Sequence, residues 1–448
     1  MIPAASGKIR TMGDDPVLLH ELWRTRKSGI APGLAAVLLA VIFLFGTAMG
    51  DEAPLKLMIV SDIHYLAPSL YENSDGLFEN VMKRADGKMT HYSRELLEGL
   101  MREARHQHPD AMIVSGDLSF NGEKESHLEL AEAFEKLSAE GIPVWVIPGN
   151  HDINYPYAGQ YIEDRYEPVP NVSPKEFRDI YNPFMIPDQA GKNHMSYAIK
   201  LRDWLWLAMC DASIYDPLPA SGGLYTGENA TWLQAVLDEA KAAGAQVITV
   251  THQSLIPHTA FMLSAMTIEN GSLMAEQMRL SGNARLNLSG HLHIQHISEA
   301  DGLYDIATGA FSVPPFRYGM LTVRENGAAE YEARALCEAH MPQDMARLAK
   351  NWFEATVKAK ERALLEALGL PEENRERMLE YAAKLNHAYF SGDFVSTDPV
   401  WTEDPAFRLW TEIREKDSMA RYLTELPGSF ENARSALRLA LPVMNGGR

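Results

Sequence analysis

Two hydrophobic periodicities divide the chain. From Leu57 to about Ala333, short apolar runs of strand length alternate with stretches of helical spacing. Leu57–Val60, Ala111–Ser115, Val144–Ile147, Gln246–Thr251 and Ala284–Leu288 have the character of buried strands. Between them, Ser93–Arg105 puts Leu96, Leu97, Leu100 and Met101 on one helical face, and Glu125–Ala139 and Ala230–Ala243 also predict helices. Tyr197–Leu201 and Trp204–Met209, joined at Arg202-Asp203, predict a hairpin. Further strands are predicted near Tyr304–Ala307, Met320–Val323 and Glu330–Ala333. Strands separated by helices at this spacing imply βαβ units and a largely parallel α/β core.

Two polar stretches interrupt that pattern. Ala67–Thr90 predicts an insertion or loop, and Asn154–Lys192, rich in Tyr, Pro and Asn, a long loop with one helical turn. Tyr155, Tyr157, Tyr161 and Tyr166 are candidates to line a cleft there, or simply to pack a surface loop. Beyond residue 337 only helical spacing remains. Met345, Leu348, Trp352 and Val357 lead to Leu364, Leu365 and Leu368, Gly369 and Pro371 break the helix, and Met378, Leu379, Ala382 and Leu385 begin another. Shorter helical pieces are predicted to Leu439. The expected division is a leader over 1–50, an α/β domain over 51–336 and an all-helical domain over 337–448, for which the sequence names no partner.

The leader carries an address. Arg24, Arg26 and Lys27 precede an uncharged run over residues 28–50, whose apolar heart is Leu34–Phe45. Small residues near its end fit a secretory signal peptide. The same run is long enough to remain as a membrane anchor, with the rest of the chain outside the cytoplasm. Either way an extracytoplasmic location is expected.

Charge narrows the partners. The net charge is −19, and the first 50 residues hold five Lys/Arg against three Asp/Glu, leaving −21 on the remainder. Such a surface repels polyanions, so no nucleic-acid polymer is expected as a partner. A small phosphorylated substrate drawn to bound cations fits better. Two distant cysteines, Cys210 and Cys337, exclude a disulfide framework and a thiol-rich zinc site.

The candidate chemistry sits directly after predicted strands: Asp62-Ile63-His64, Gly116-Asp117, Gly149-Asn150-His151-Asp152, Thr251-His252 and Gly290-His291-Leu292-His293. Ligand sites in open α/β sheets lie at the carboxyl ends of strands, so these segments should converge. Imidazole with carboxylate suits Mn, Fe, Zn or Co. Residues i and i+2 point the same way, so Asp62 and His64 can share one ion. Two ions held about 3.5–4 Å apart would need a bridging carboxylate. Ten of the fifteen histidines lie outside these segments and carry no such signal.

The ordered series D-x-H, G-D, G-N-H-D, H and G-H-x-H resembles the calcineurin-like metallophosphoesterase superfamily over roughly residues 55–325. The resemblance implies an αββα sandwich followed here by the helical domain. It implies a first metal on Asp62, His64, Asp117 and His293, and a second on Asp117, Asn150, His252 and His291, with Asp117 bridging. His151 would be the acid that is not a ligand, and Asp152 would orient it. A hydroxide bridging the metals would attack phosphorus.

Within the superfamily, purple acid phosphatases usually show Gly-Asp-x-x-Tyr, whereas here the last position is Phe120, which cannot bind iron. The run Gly116–Glu123 is similar to bacterial class III cyclic-nucleotide phosphodiesterases, some of which pair an extracytoplasmic N-terminus with a helical C-terminal domain. That implies diester hydrolysis of small substrates such as cyclic nucleotides. The alternative is a phosphomonoesterase or nucleotidase. A non-catalytic surface binding protein is a third class, opposed by the completeness of the ligand set.

Overall fold

The computed structural model describes residues 53–186, 194–259, 262, 264–393, 401–429 and 435–443. The segment 28–50, expected to be a signal or anchor, lies outside them. Among the described residues no helix is long and apolar enough to cross a membrane.

Twelve strands build two six-stranded sheets. In chain order they are β1 (Leu55–Val60), β2 (Ala111–Ser115), β3 (Val144–Ile147), β4 (Tyr197–Arg202), β5 (Leu205–Met209), β6 (Gln246–Val250), β7 (Ala284–Ser289), β8 (His296–Ala300), β9 (Leu303–Ala307), β10 (Arg317–Val323), β11 (Ala328–Ala335) and β12 (Ala436–Ala440). The first sheet runs β12-β11-β10-β1-β2-β3 and the second β8-β9-β7-β6-β5-β4. In each, a parallel centre (β1-β2-β3 and β9-β7-β6-β5) carries antiparallel strands at its margin. The parallel strands are almost wholly apolar because both of their faces are covered.

One apolar cluster joins the sheets: Leu57, Ile59 and Val114 of the first meet Ile248, Leu286 and Ile306 of the second. Helices clothe the outer faces. The short α1 (Leu77–Met82) lies in the 67–90 segment, and α2 (Ser93–Gln107) and α3 (Lys124–Ala139) send Leu100, Leu130 and Phe134 into the same cluster. Residues 154–186 are more ordered than a loop. They form the hairpin Gly159–Ile162/Arg165–Pro168 and α4 (Pro174–Tyr181), whose start is fixed by a Ser173–Glu176 capping box. The helices α5 (Gly227–Ala242) and α6 (Gly271–Ser281) cover the second sheet with Leu233, Leu237, Met274 and Met278. The result is the expected αββα sandwich.

Four C-terminal helices follow: α7 (Met345–Ala367), α8 (Glu372–Ser391), α9 (Pro405–Ile413) and α10 (Ser418–Ser429). They share a core of Leu365, Leu379, Leu385, Trp410 and Leu423. Trp410 is fully buried and donates to the Met378 carbonyl. Residues from Ala53 on make one compact unit. One expectation fails at the end: Ala436–Ala440 is a strand, not a helical piece. Its Ala-Leu-Arg-Leu-Ala alternation is satisfied by antiparallel pairing with β11, which leaves Leu437 buried.

Candidate metal centre

The loops after β1, β2, β3, β6 and β7 meet at one end of the sandwich. Backbone bonds lace them in pairs. Asp62 and His64 amides donate to the carbonyls of Gly116 and Asp117, and the Gly290 amide donates to the His252 carbonyl. Five proposed ligands hold left-handed backbone: Asp62 (φ 53°), His64 (45°), Asp117 (49°), His291 (64°) and His293 (59°). Each is an uncommon conformation for a residue with a Cβ, and such strain concentrates at functional sites. The preceding glycines clear the space. A Cβ on Gly149 would fall 2.2 Å from Asp117 Oδ1, and one on Gly290 would fall 1.7 Å from Ser61 Oγ.

All seven proposed ligands come together in two sets. Asp62, His64, Asp117 and His293 form one, and Asp117, His252 and His291 form the other, each with its donor atoms within 4.8 Å of one another. In the first, His64 Nε2 stands 3.1 Å from His293 Nε2, 3.7 Å from Asp117 Oδ2 and 4.0 Å from Asp62 Oδ1. In the second, His252 Nε2 lies 3.3 Å from Asp117 Oδ1 and 3.1 Å from Asn150 Oδ1, which adds Asn150 to that set. Asp117 therefore turns one oxygen to each.

Hydrogen bonds behind the imidazoles choose their free nitrogens. His252 donates from Nδ1 to the Ser115 carbonyl, and His291 from Nε2 to the Ala265 carbonyl. That leaves Nε2 of His252 and Nδ1 of His291 with lone pairs for a cation. Asp62 accepts the His291 amide on Oδ2, while its Oδ1 is buried without a hydrogen-bond partner. An orphaned carboxylate oxygen among imidazole nitrogens is what a missing cation leaves behind. The donor set fits two transition metals such as Mn, Fe, Zn or Co.

The electrostatics favour the ligating form at two of the histidines and the protonated form at a third. Burial, with the charge of Lys88, holds His64 well below its ordinary range, and burial brings His291 to about 4, so both favour the neutral, ligating form. Burial would raise the Asp117 carboxyl, but the neighbouring histidines, His252 foremost, hold it well below the usual carboxylate range. Burial opposes a proton on His252, yet Asp117 outweighs it and lifts the imidazole to about 9.

His151 stands beside both sets without belonging to either. Its amide donates to Asp117 Oδ1 over 2.9 Å, and its ring lies 5.0 Å from that of His64. Asp152 does not orient it. Adjacent residues diverge, and the Asp152 carboxylate instead accepts from the amides of Leu118, Ser119 and Gly149, binding the loops after β2 and β3 together. The His151 ring is held by donation from Nδ1 to the Phe120 carbonyl (3.0 Å), with Asn121 Oδ1 equally near, and by Tyr155 stacked on it at 4.6 Å. Of the other loop aromatics, Tyr161 is buried against Phe78, and Tyr157 and Tyr166 are exposed.

Sequence reasoning missed Lys88. It lies in the polar 67–90 stretch with no motif around it, yet its charge acts on Asp117, Asp62, His64 and His151.

Comparison with known proteins gives the family. The family model described as calcineurin-like phosphoesterase matches residues 55–295, more than half of the chain. No curated protein gives a significant match. Solved structures similar to the chain include a dimetal phosphatase from Danio rerio (14% identity, 64% of this chain and 98% of that one, TM-score 0.46). Others are a phosphopantetheinyl hydrolase from Mycobacterium tuberculosis (14%, 58% and 90%, 0.32) and GAP50, the inner-membrane-complex anchor of Plasmodium (12%, 68% and 95%, 0.37).

Proposed function

Because the chain belongs to the calcineurin-like phosphoesterase family, we propose that it hydrolyses phosphodiester bonds of small substrates such as cyclic nucleotides. One observation carries the reading: Asp117 places one carboxylate oxygen 3.7 Å from His64 and the other 3.3 Å from His252, so a single residue serves two ligand sets. Two bound cations supply Lewis acidity at phosphorus and an acidified water at neutral pH.

The chain's own residues do the rest. Only Asp62 and Asp117 among the seven ligands are carboxylates, so the loaded centre stays cationic and attracts an anionic ester. His151 donates a hydrogen bond from Nδ1 to the Phe120 carbonyl, which leaves Nε2 as the atom that meets substrate. Burial pushes its imidazolium down to about 4, and a phosphoryl anion beside it favours the proton again. Nε2 then donates to the departing alkoxide. Tyr155 keeps the ring in plane for that transfer. The similarity of Gly116–Glu123 to cyclic-nucleotide phosphodiesterases supports the diester substrate, and the −21 balance outside the first 50 residues supports a small one.

The test is a panel on the full chain reconstituted with Mn: cyclic nucleotides, bis(p-nitrophenyl) phosphate, nucleoside monophosphates and p-nitrophenyl phosphate. Higher kcat/KM on the diesters is expected. Preference for the monoesters would make the protein a phosphomonoesterase, and no turnover with both ions bound would leave the non-catalytic reading. We place the enzyme outside the cytoplasm, because Arg24, Arg26 and Lys27 precede the apolar stretch. Fractionation with N-terminal sequencing separates a cleaved leader from a retained anchor. Cytosolic protein with Met1 intact would exclude both.

A further inference from the structure

Residues 67–90 leave the sandwich between the Asp62/His64 loop and α2, and their tip is held from two sides. On one side, the Met89 amide donates to the Ser312 carbonyl over 2.7 Å, and Ser312 Oγ donates to the carbonyl of the ligand Asp62 over 2.9 Å. On the other, α7 grips three consecutive residues. Lys360 pairs with Asp86 at 2.6 Å, the Phe353 ring lies where a side chain on Gly87 would go, and Trp352 Nε1 donates to the Lys88 carbonyl at 3.2 Å. The Trp352 ring also packs at a tilt against His91, 4.3 Å between centroids.

The clamp sets the backbone of Lys88 beside the metal centre and leaves its side chain unengaged. Among the described residues its ammonium makes no hydrogen bond or ion pair; burial lowers its proton affinity, and the charges of Asp117, Asp86 and Asp62 oppose that without overcoming it. Asp86, its sequence neighbour, is already committed to Lys360. Lys88 is half-buried, its backbone is tied through Met89 and Ser312 to the carbonyl of Asp62, and its charge is felt by Asp117, Asp62, His64 and His151.

We propose that Lys88 binds a non-bridging oxygen of the substrate's phosphoryl group, and that α7 holds it there. This rests on the phosphoester-hydrolase reading. Lysine suits the task as a compact charge on a flexible four-carbon stem. In the mechanism it adds positive charge on the equatorial oxygens, which neither the ligand carboxylates nor His151 provide.

The test uses the full metal-loaded chain and inorganic phosphate as the probe. For Lys88→Ala and Lys88→Met the inhibition constant of phosphate should rise about tenfold or more, as for loss of a charge-assisted hydrogen bond. Phosphate titrated calorimetrically should show the same loss without any turnover being measured. Lys88→Arg should recover part of it, and metal content and melting temperature should stay at wild-type values. Phosphate affinity within twofold of wild type in both neutral variants would overturn the proposal. Tighter metal binding in those variants, with phosphate affinity unchanged, would also overturn it, marking Lys88 as a counter-charge to the carboxylates. If the wild-type protein hydrolyses no ester but binds phosphate through Lys88, the functional reading fails and the site assignment stands.

Discussion

The His291 amide donates to Oδ2 of Asp62 over 2.9 Å, across 229 residues of sequence and between the two sheets. It ties the first ligand of the series to the histidine motif at its end. The bond occupies one carboxylate oxygen and leaves Oδ1, 3.4 Å from His293 Nε2, to face the cation. Asp117 has no such division of labour, since each of its oxygens addresses a different ligand set. The two aspartates should therefore fail differently.

Asp117→Asn is expected to lose both metals, and Asp62→Asn only the first, because an amide still accepts the His291 amide but carries no charge to hold an ion. Elemental analysis after gel filtration should find below about half an ion per chain in the first variant and about one in the second. Equal metal content in the two would remove Asp117 from its bridging position.

His151→Ala should keep both ions and lose about 10²–10⁴-fold in diester turnover, the usual range for general acid help. Its amide, which alanine preserves, donates to Asp117, and its ring hydrogen-bonds to Phe120 rather than to a ligand. Full activity in the variant would exclude it from the reaction. A substrate with a better leaving group should suffer less from the loss.

Gly290→Ala probes how closely the sheets meet. The new Cβ would lie 1.7 Å from Ser61 Oγ and 2.7 Å from Asp62 Oδ2, so the β1 loop must shift. A stability loss of at least about 2 kcal/mol is expected, as for overpacking in a filled interior. Metal occupancy should fall with it. A wild-type denaturation midpoint would show that the loops yield more freely than their geometry implies.

Metal binding should release protons. Asp117 lifts His252 to about 9 in the metal-free protein despite burial, so near neutral pH the imidazole carries a proton that an entering ion displaces. His64 and His291 are held low by burial and have none to give. The sign follows: affinity rises with pH up to about 9 and flattens beyond it. Calorimetry near pH 7.5 in buffers of different ionisation enthalpy should count about one proton per pair of ions, and none would refute the His252 assignment.

The metal centre was legible because its ligands are few in type, follow strand ends and recur in a fixed order. Asp62, Asp117 and His291 needed no tertiary knowledge to be singled out. What lies around them did not read so easily. The family resemblance implied that Asp152 orients His151, but the two are adjacent in sequence and the backbone sends their side chains apart. Lys88 sits in a polar stretch where a lysine reads as solvated surface, and only contacts with Ser312 and α7, both more than 220 residues later, hold its loop at the site. The strand Ala436–Ala440 has alanine and leucine at four of its five positions, good helix formers after a run of helices, and its edge position overrode that preference.

That last strand bears on how the protein is made. During synthesis β11 emerges with one side unpaired, and its partner β12 follows only after about a hundred further residues. Throughout that interval the nascent chain offers an open β-edge to its neighbours, a known route to aggregation. Production of the protein should therefore benefit from slow translation or a bound chaperone, and shortening the chain before Ala436 should harm its solubility before it harms its chemistry.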